Sequence, residues 1–95
     1  MTSLATKRKS ELEDLLSKNY RHVSLQDEKY FLTENNAVFH VDIFDSAALV
    51  IEYAESVEAA EKYQLEDGDR FYLSDYTDAG AMLEALLKEI RASYA

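Results

Sequence analysis

The chain has 95 residues, of which 47% are hydrophobic and 31% are charged, as expected for one globular domain spanning residues 1–95. It contains no cysteine, which excludes disulfides, thiolate catalysis and cysteine-ligated metal sites. Nineteen acidic and ten basic residues give a net charge of −9. This charge argues against nucleic acid as a direct partner, because nucleic-acid binding depends on basic residues that meet phosphates.

No membrane partner is expected either. The first residues lack the apolar core of a secretory signal, and no apolar run approaches the ~20 residues that span a bilayer. We therefore expect a cytoplasmic protein.

The first predicted element is a helix over residues 3–18, where leucines recur at helical spacing and Ser3 is the candidate cap. A later start is the alternative, since Ser10 and Glu13 form a capping-box pattern. That start would place the basic residues 7–9 at the positive end of the helix dipole, which is unfavourable. The earlier start is therefore preferred.

Three strands follow, over about residues 28–34, 37–44 and 48–54, where apolar and polar residues alternate. Short connections between them indicate an antiparallel meander. Segments 20–27 and 70–73 are also partly alternating or aromatic, so the number of strands stays open at three or four.

Alternation also predicts the strand pairing. A loop of three residues after Phe44 pairs Ile43 with Leu49 and His40 with Glu52, which keeps apolar residues on one face. Before the second strand, Asn35–Asn36 is predicted as a two-residue turn that pairs Leu32 with Phe39 and Tyr30 with Val41.

These pairings assign each side chain to a face of the sheet. The predicted core face carries Tyr30, Leu32, Phe39, Val41, Ile43, Leu49, Ile51 and Tyr53. The opposite face is mixed, and its apolar members include Phe31, Val38, Phe44 and Val50.

An acidic segment, residues 52–69, comes before the last predicted helix. Ser56 is predicted to cap a short helix over residues 57–63, and Asp67–Gly68 is predicted to form a turn. The last helix is predicted to start at Asp75 or Thr77. Its apolar stripe is centred on Leu83, Leu86 and Leu87, which we expect to be nearly fully buried. The predicted fold is therefore α+β, with an N-terminal helix, a short middle helix and a C-terminal helix packed on the sheet.

One polar constellation could carry chemistry, namely His40, Asp42 and Glu52 on the mixed face. A carboxylate beside an imidazole suits general acid–base catalysis. The spacing also matches part of an iron-binding triad, which needs a second histidine, and only His22 exists. A cross-strand pair that stabilises the sheet is the preferred interpretation. No catalytic, cofactor-binding or metal-binding residue is therefore assigned.

The aromatic content indicates an interface instead. Seven tyrosines and four phenylalanines exceed what a small core can bury, and exposed aromatics mark protein interfaces. The candidate interface residues are Phe31, Phe44, Val50, Tyr72 and Tyr76. We expect a non-enzymatic protein–protein interaction module that forms a homodimer through the second sheet face.

Two alternatives remain open. The chain could be an acidic inhibitor, an immunity protein or a nucleic-acid mimic that binds a basic partner. It could also be a small enzyme that uses His40 with Glu52 or Asp42.

Overall fold

A computed structural model describes residues 3–94 and shows an antiparallel sheet with helices on both faces. The elements are α1 (Leu4–Leu16), β1 (His22–Leu25), β2 (Glu28–Leu32), β3 (Val38–Asp45), β4 (Ala48–Ala54), α2 (Val57–Glu61), β5 (Glu66–Tyr72) and α3 (Ala79–Tyr94). The sheet has five strands in the order β1-β2-β3-β4-β5, so the α+β class is confirmed and three to four strands is an undercount. None of the helices in this described range has the length and apolar character to cross a bilayer.

Serine caps set the starts of the first two helices. The Ser3 hydroxyl accepts a hydrogen bond from the backbone N–H of Thr6 at 3.1 Å, which confirms the earlier of the two predicted starts of α1. The Ser56 hydroxyl accepts from the N–H of Ala59 at 3.0 Å and caps α2. Each cap satisfies one of the N–H groups that the first turn of a helix leaves unpaired.

The start of α3 differs from the prediction. The Asp78 side chain accepts from the backbone N–H of Ala81 at 2.9 Å, and this contact caps the helix. Asp75 instead ends a single 3-10 turn (Leu73–Asp75), so it cannot cap α3. Thr77 lies one residue too early.

The pairing of β3 with β4 is confirmed. Ile43 is opposite Leu49, and His40 is opposite Glu52. The hairpin closes more tightly than predicted, because a bulge between Ile43 and Asp45 absorbs one residue and leaves a turn of two.

The predicted pairing of β2 with β3 is wrong by one residue, since Phe31 and not Leu32 lies opposite Phe39. The connection is wider than a two-residue turn. It is closed by Thr33, whose backbone N–H donates to the carbonyl of Ala37 at 2.8 Å. A shift of one residue exchanges the two faces of a strand.

This exchange corrects the composition of the core. Phe31 lies on the first face of the sheet and is fully buried, whereas Tyr30 and Leu32 lie on the second face. Ile43, predicted to be buried, is 36% exposed near the end of the β3–β4 hairpin.

Both long helices cover the first face. Together they bury one core, formed by Ala5, Leu12, Leu16, Phe31, Phe39, Val41, Leu49, Ile51, Tyr53, Phe71, Leu73, Ala79, Met82, Leu86 and Ile90. Leu86 is 1% exposed as predicted, but Leu83 and Leu87 are only partly buried at its margin.

The short helix α2 covers part of the second face. Ala59 and Ala60 pack there against Tyr30, Val38 and Ala54. The part of this face formed by the β3–β4 hairpin and the end of β5 contributes no residue to that cluster.

The predicted turn at Asp67–Gly68 is wrong, because both residues lie in β5. The pairing of β4 with β5 shifts between Val50 and Glu52, which places Gly68 in an irregular part of the edge strand. A Cβ atom on Gly68 would lie 2.6 Å from Cε2 of Tyr53. The glycine is therefore required by close packing.

Candidate functional site

His40 is the centre of a polar network on the second face of the sheet. His40 as a whole is 3% exposed, and its Nε2 lies 2.8 Å from Oε1 of Glu52 on the neighbouring strand. Its Nδ1 lies 3.7 Å from Oε2 of Glu28. The ring of Tyr30 packs against the imidazole with 4.5 Å between ring centroids. Only the contact between Nε2 and Glu52 is within hydrogen-bond distance, since 3.7 Å is too long for a hydrogen bond from Nδ1 to Glu28.

Helix α1 contributes an ammonium group to this network. Nζ of Lys9 lies 2.9 Å from Oε2 of Glu28 and 3.9 Å from Oδ1 of Asp42. The contacts therefore form a series in which acidic and basic residues alternate, and they connect α1 with β2, β3 and β4. In order, the series is Asp42, Lys9, Glu28, His40 and Glu52. We call Lys9, Glu28, His40, Asp42 and Glu52 the polar network.

The carboxyl of Glu52 is the most crowded member. Burial raises its pKa above the ordinary value, the neighbouring His40 opposes this change, and Asp42 and Asp67 raise the pKa further. Asp67 lies directly opposite Glu52 on β5, so a second carboxyl group stands beside it. Three acidic groups therefore share one stretch of the second face.

Access to His40 is narrow. Its side chain is 4% exposed. A groove of about 640 Å³ between α1 and the β1–β2 hairpin is lined by Lys9, Glu13 and Glu28, among others, and His40 is not in its lining. Within residues 3–94, no group of three or more histidines and acids has an arrangement that could hold a metal ion. The observed contacts of the network join α1 to β2, β3 and β4.

A second feature lies next to the network on the same face. It consists of Phe44, Val50, Arg70 and Tyr72, which we call the aromatic patch. Val50 lies opposite Arg70 across β4 and β5, and Cζ of Arg70 lies 4.0 Å from the centroid of the Phe44 ring. Phe44 and Tyr72 are each 44% exposed. The patch therefore presents aromatic surface that no helix of the described chain covers.

The five residues predicted as an interface differ in how far they are exposed in the structure. Phe31 is fully buried in the core and presents no surface to a partner. Tyr76 is partly buried against Phe71, with 6.2 Å between ring centroids. Val50 is 9% exposed, whereas Phe44 and Tyr72 are well exposed.

Sequence reasoning missed four residues that the structure adds to this region. They are Lys9, Glu28, Asp67 and Arg70. Alternation could have placed Glu28 on the same face as Tyr30, and pairing could have placed Arg70 opposite Val50 once β5 was recognised. No sequence signal indicates that Lys9 reaches across to the sheet.

Comparisons of this chain with protein-family models, with curated proteins and with solved structures found no match. The interpretation of the site therefore depends on its geometry.

Proposed function

We propose that this protein is a non-enzymatic protein-binding module whose docking surface is the aromatic patch. The single observation that carries the proposal is the exposure of Phe44 and Tyr72 on a part of the sheet that α2 leaves open. Exposed aromatic side chains at the centre of a polar surface are characteristic of protein interfaces.

The burial of His40 supports a non-enzymatic role. A general base must come within hydrogen-bond reach of the proton that it removes. The Tyr30 ring packs against the imidazole of His40, whose Nε2 is already hydrogen-bonded to Glu52. A small enzyme that uses His40 with Glu52 or Asp42 is therefore the weaker proposal.

A homodimer remains one form of the proposed interaction. Both long helices pack on the first face, which leaves part of the second face for a partner. The apolar surface available for a two-fold contact is smaller than the sequence suggested, because Phe31 is buried and α2 covers Val38. A partner of different sequence is therefore preferred, and the absence of cysteine fits an interaction in the reducing cytoplasm.

An inhibitor or mimic that binds a basic protein is the second candidate. It is favoured by the net charge of −9 and by the three acids at Asp42, Glu52 and Asp67. The charge of Glu58, another acid of segment 52–69, is offset by its pair with Lys62 on α2 at 3.4 Å.

The test is a comparison of captured proteins from the native cell. Phe44→Ser combined with Tyr72→Ser should remove a partner that the wild-type chain captures, because both changes delete exposed aromatic surface. Tyr63→Ser is the matched control, since Tyr63 is an exposed aromatic outside the patch. A partner that all three proteins capture equally would contradict the proposal.

A further inference from the structure

The surroundings of the aromatic patch indicate the chemistry of its partner. The patch and the acids at Asp42, Glu52 and Asp67 lie on the same face of the sheet, because Val50 pairs with both Asp42 and Arg70, and Glu52 pairs with Asp67. Apolar and acidic surface are therefore side by side.

The basic side chains next to these acids already have partners. His40 is bonded to Glu52, Lys9 is bonded to Glu28, and the guanidinium of Arg70 lies over the Phe44 ring. Asp67 is exposed and lies directly opposite Glu52 on the neighbouring strand. Like charges directly opposite each other in a sheet repel, so an incoming cation would be favoured between Glu52 and Asp67.

The edge of the sheet next to the aromatic patch, strand β5, does not offer an equivalent site. Strand β5 is an edge strand with charged residues at Glu66, Asp67, Asp69 and Arg70 and an irregular pairing at Gly68. Charges and bulges on an edge oppose the addition of a further strand. A partner is therefore expected on the face of the sheet.

Resting on the proposed function, we propose that the partner is a basic protein that places an arginine or lysine between Glu52 and Asp67 and packs apolar groups on Phe44 and Tyr72. The charges are complementary, since this chain carries a net charge of −9. Arginine suits the site well, because its planar guanidinium pairs with carboxylates and stacks on aromatic rings, as Arg70 does on Phe44.

The probe for this proposal is a short peptide of alternating arginine and leucine. Its control is the same peptide with glutamine in place of each arginine. Titration into the isotopically labelled full chain, followed by amide chemical shifts, should move the signals around Val50, Glu52 and Arg70. The glutamine peptide should move them far less. Shifts spread evenly over the acidic surface, or equal shifts with both peptides, would overturn the proposal.

Two variants with the same change in net charge locate the effect. Asp67→Asn should weaken binding of the arginine peptide about three- to tenfold, because it removes a carboxylate that contacts the cation. Glu84→Gln lies on α3, which packs on the other face, and should change the affinity less than about twofold because solvent screens distant charges. Equal weakening by both variants would contradict a local site.

The outcomes separate this inference from the proposed function. If Phe44→Ser with Tyr72→Ser removes a cellular partner but the arginine peptide shows no preference for the patch, the surface binds a protein of other chemistry and the inference alone fails. If light scattering shows a dimer that the same double variant dissociates, the occupant is a second copy of this chain, and the inference is again overturned.

Discussion

His40 and Glu52 are joined by a contact of 2.8 Å across the central strand pair, where both side chains are largely buried. The contact stabilises the observed register of β3 on β4, because a shift of one residue would leave His40 opposite an apolar neighbour. It also holds the network beside the aromatic patch in place.

This contact should be visible in a double-mutant cycle. His40→Ala, Glu52→Ala and the combined variant are expected to show a coupling free energy of about 1–2 kcal/mol. Either single change already removes the hydrogen bond between the two side chains, so the second change in the double variant does not remove it again. Urea unfolding of the four proteins measures this coupling. Strictly additive changes would show that the pair contributes no interaction.

A second prediction concerns Glu89 on α3, whose carboxyl accepts a hydrogen bond from the backbone N–H of Asp69 at 2.7 Å. Burial raises the pKa of Glu89 above its ordinary value of 4.5, and this outweighs the effect of the hydrogen bond. The folded state therefore holds this proton more strongly than the unfolded state does. The contribution of Glu89 to stability consequently falls as the pH rises from 4.5 through the raised pKa.

Glu89→Gln should therefore stabilise the protein at neutral pH. The difference from wild type should shrink as the pH falls through that window and stay constant below it. Thermal unfolding across a pH series measures the difference. Glu84→Gln, at an exposed position of the same helix, should remain close to wild type. If the wild type were more stable than Glu89→Gln at neutral pH, the account of Glu89 as a buried charge would be contradicted.

The two glycines should respond differently to replacement by alanine. Gly68→Ala is expected to destabilise the fold by about 1–3 kcal/mol, since the new methyl group would meet the ring of Tyr53 and the carbonyl of Ile51. Gly80→Ala lies in the first turn of α3, where the nearest atom is an Asp78 oxygen at 3.4 Å. It should be neutral or stabilising by up to about 1 kcal/mol because alanine favours helix. Equal effects in chemical denaturation would refute this account of Gly68.

Packing of α3 supplies a fourth prediction. Leu86→Ala should cost roughly 2–5 kcal/mol, because Leu86 is 1% exposed and a cavity would remain. Leu83→Ala should cost clearly less, since Leu83 is only partly buried at the edge of the core. Similar unfolding midpoints for the two variants would show that α3 packs less tightly than described.

The sequence predicted the parts of the fold in which one physical requirement dominates. Alternation over residues 38–54 predicted the pairing of His40 with Glu52, because a shift would bury charge. The serine caps at Ser3 and Ser56 were predicted because their hydroxyls satisfy N–H groups two or three residues away.

The errors occurred where two arrangements satisfied the local rules. Strand β2 carries aromatic or apolar residues on both faces, with Phe31 between Tyr30 and Leu32, so alternation could not select its register. The width of the Thr33–Ala37 connection decided it, through side-chain and backbone bonds that the sequence pattern did not reveal. The same error moved Phe31 from the predicted interface into the core.

The candidate site was predicted only in part for a related reason. His40, Asp42 and Glu52 share a strand pair and could be grouped by local pairing. Lys9 reaches Glu28 across 19 positions of sequence, and Arg70 reaches Phe44 only because β5 pairs with β4. Contacts of that range depend on the packing of whole elements.

The most direct test of the central claim is site-specific photo-crosslinking in the native cell. A photoreactive amino acid in place of Tyr72 should form a covalent adduct with a partner protein, because this side chain lies in the aromatic patch. The same replacement at Tyr63, which is 70% exposed outside the patch, should form no such adduct. Adducts of equal yield at both positions, or an adduct at Tyr63 alone, would contradict the assignment of the aromatic patch as the docking surface.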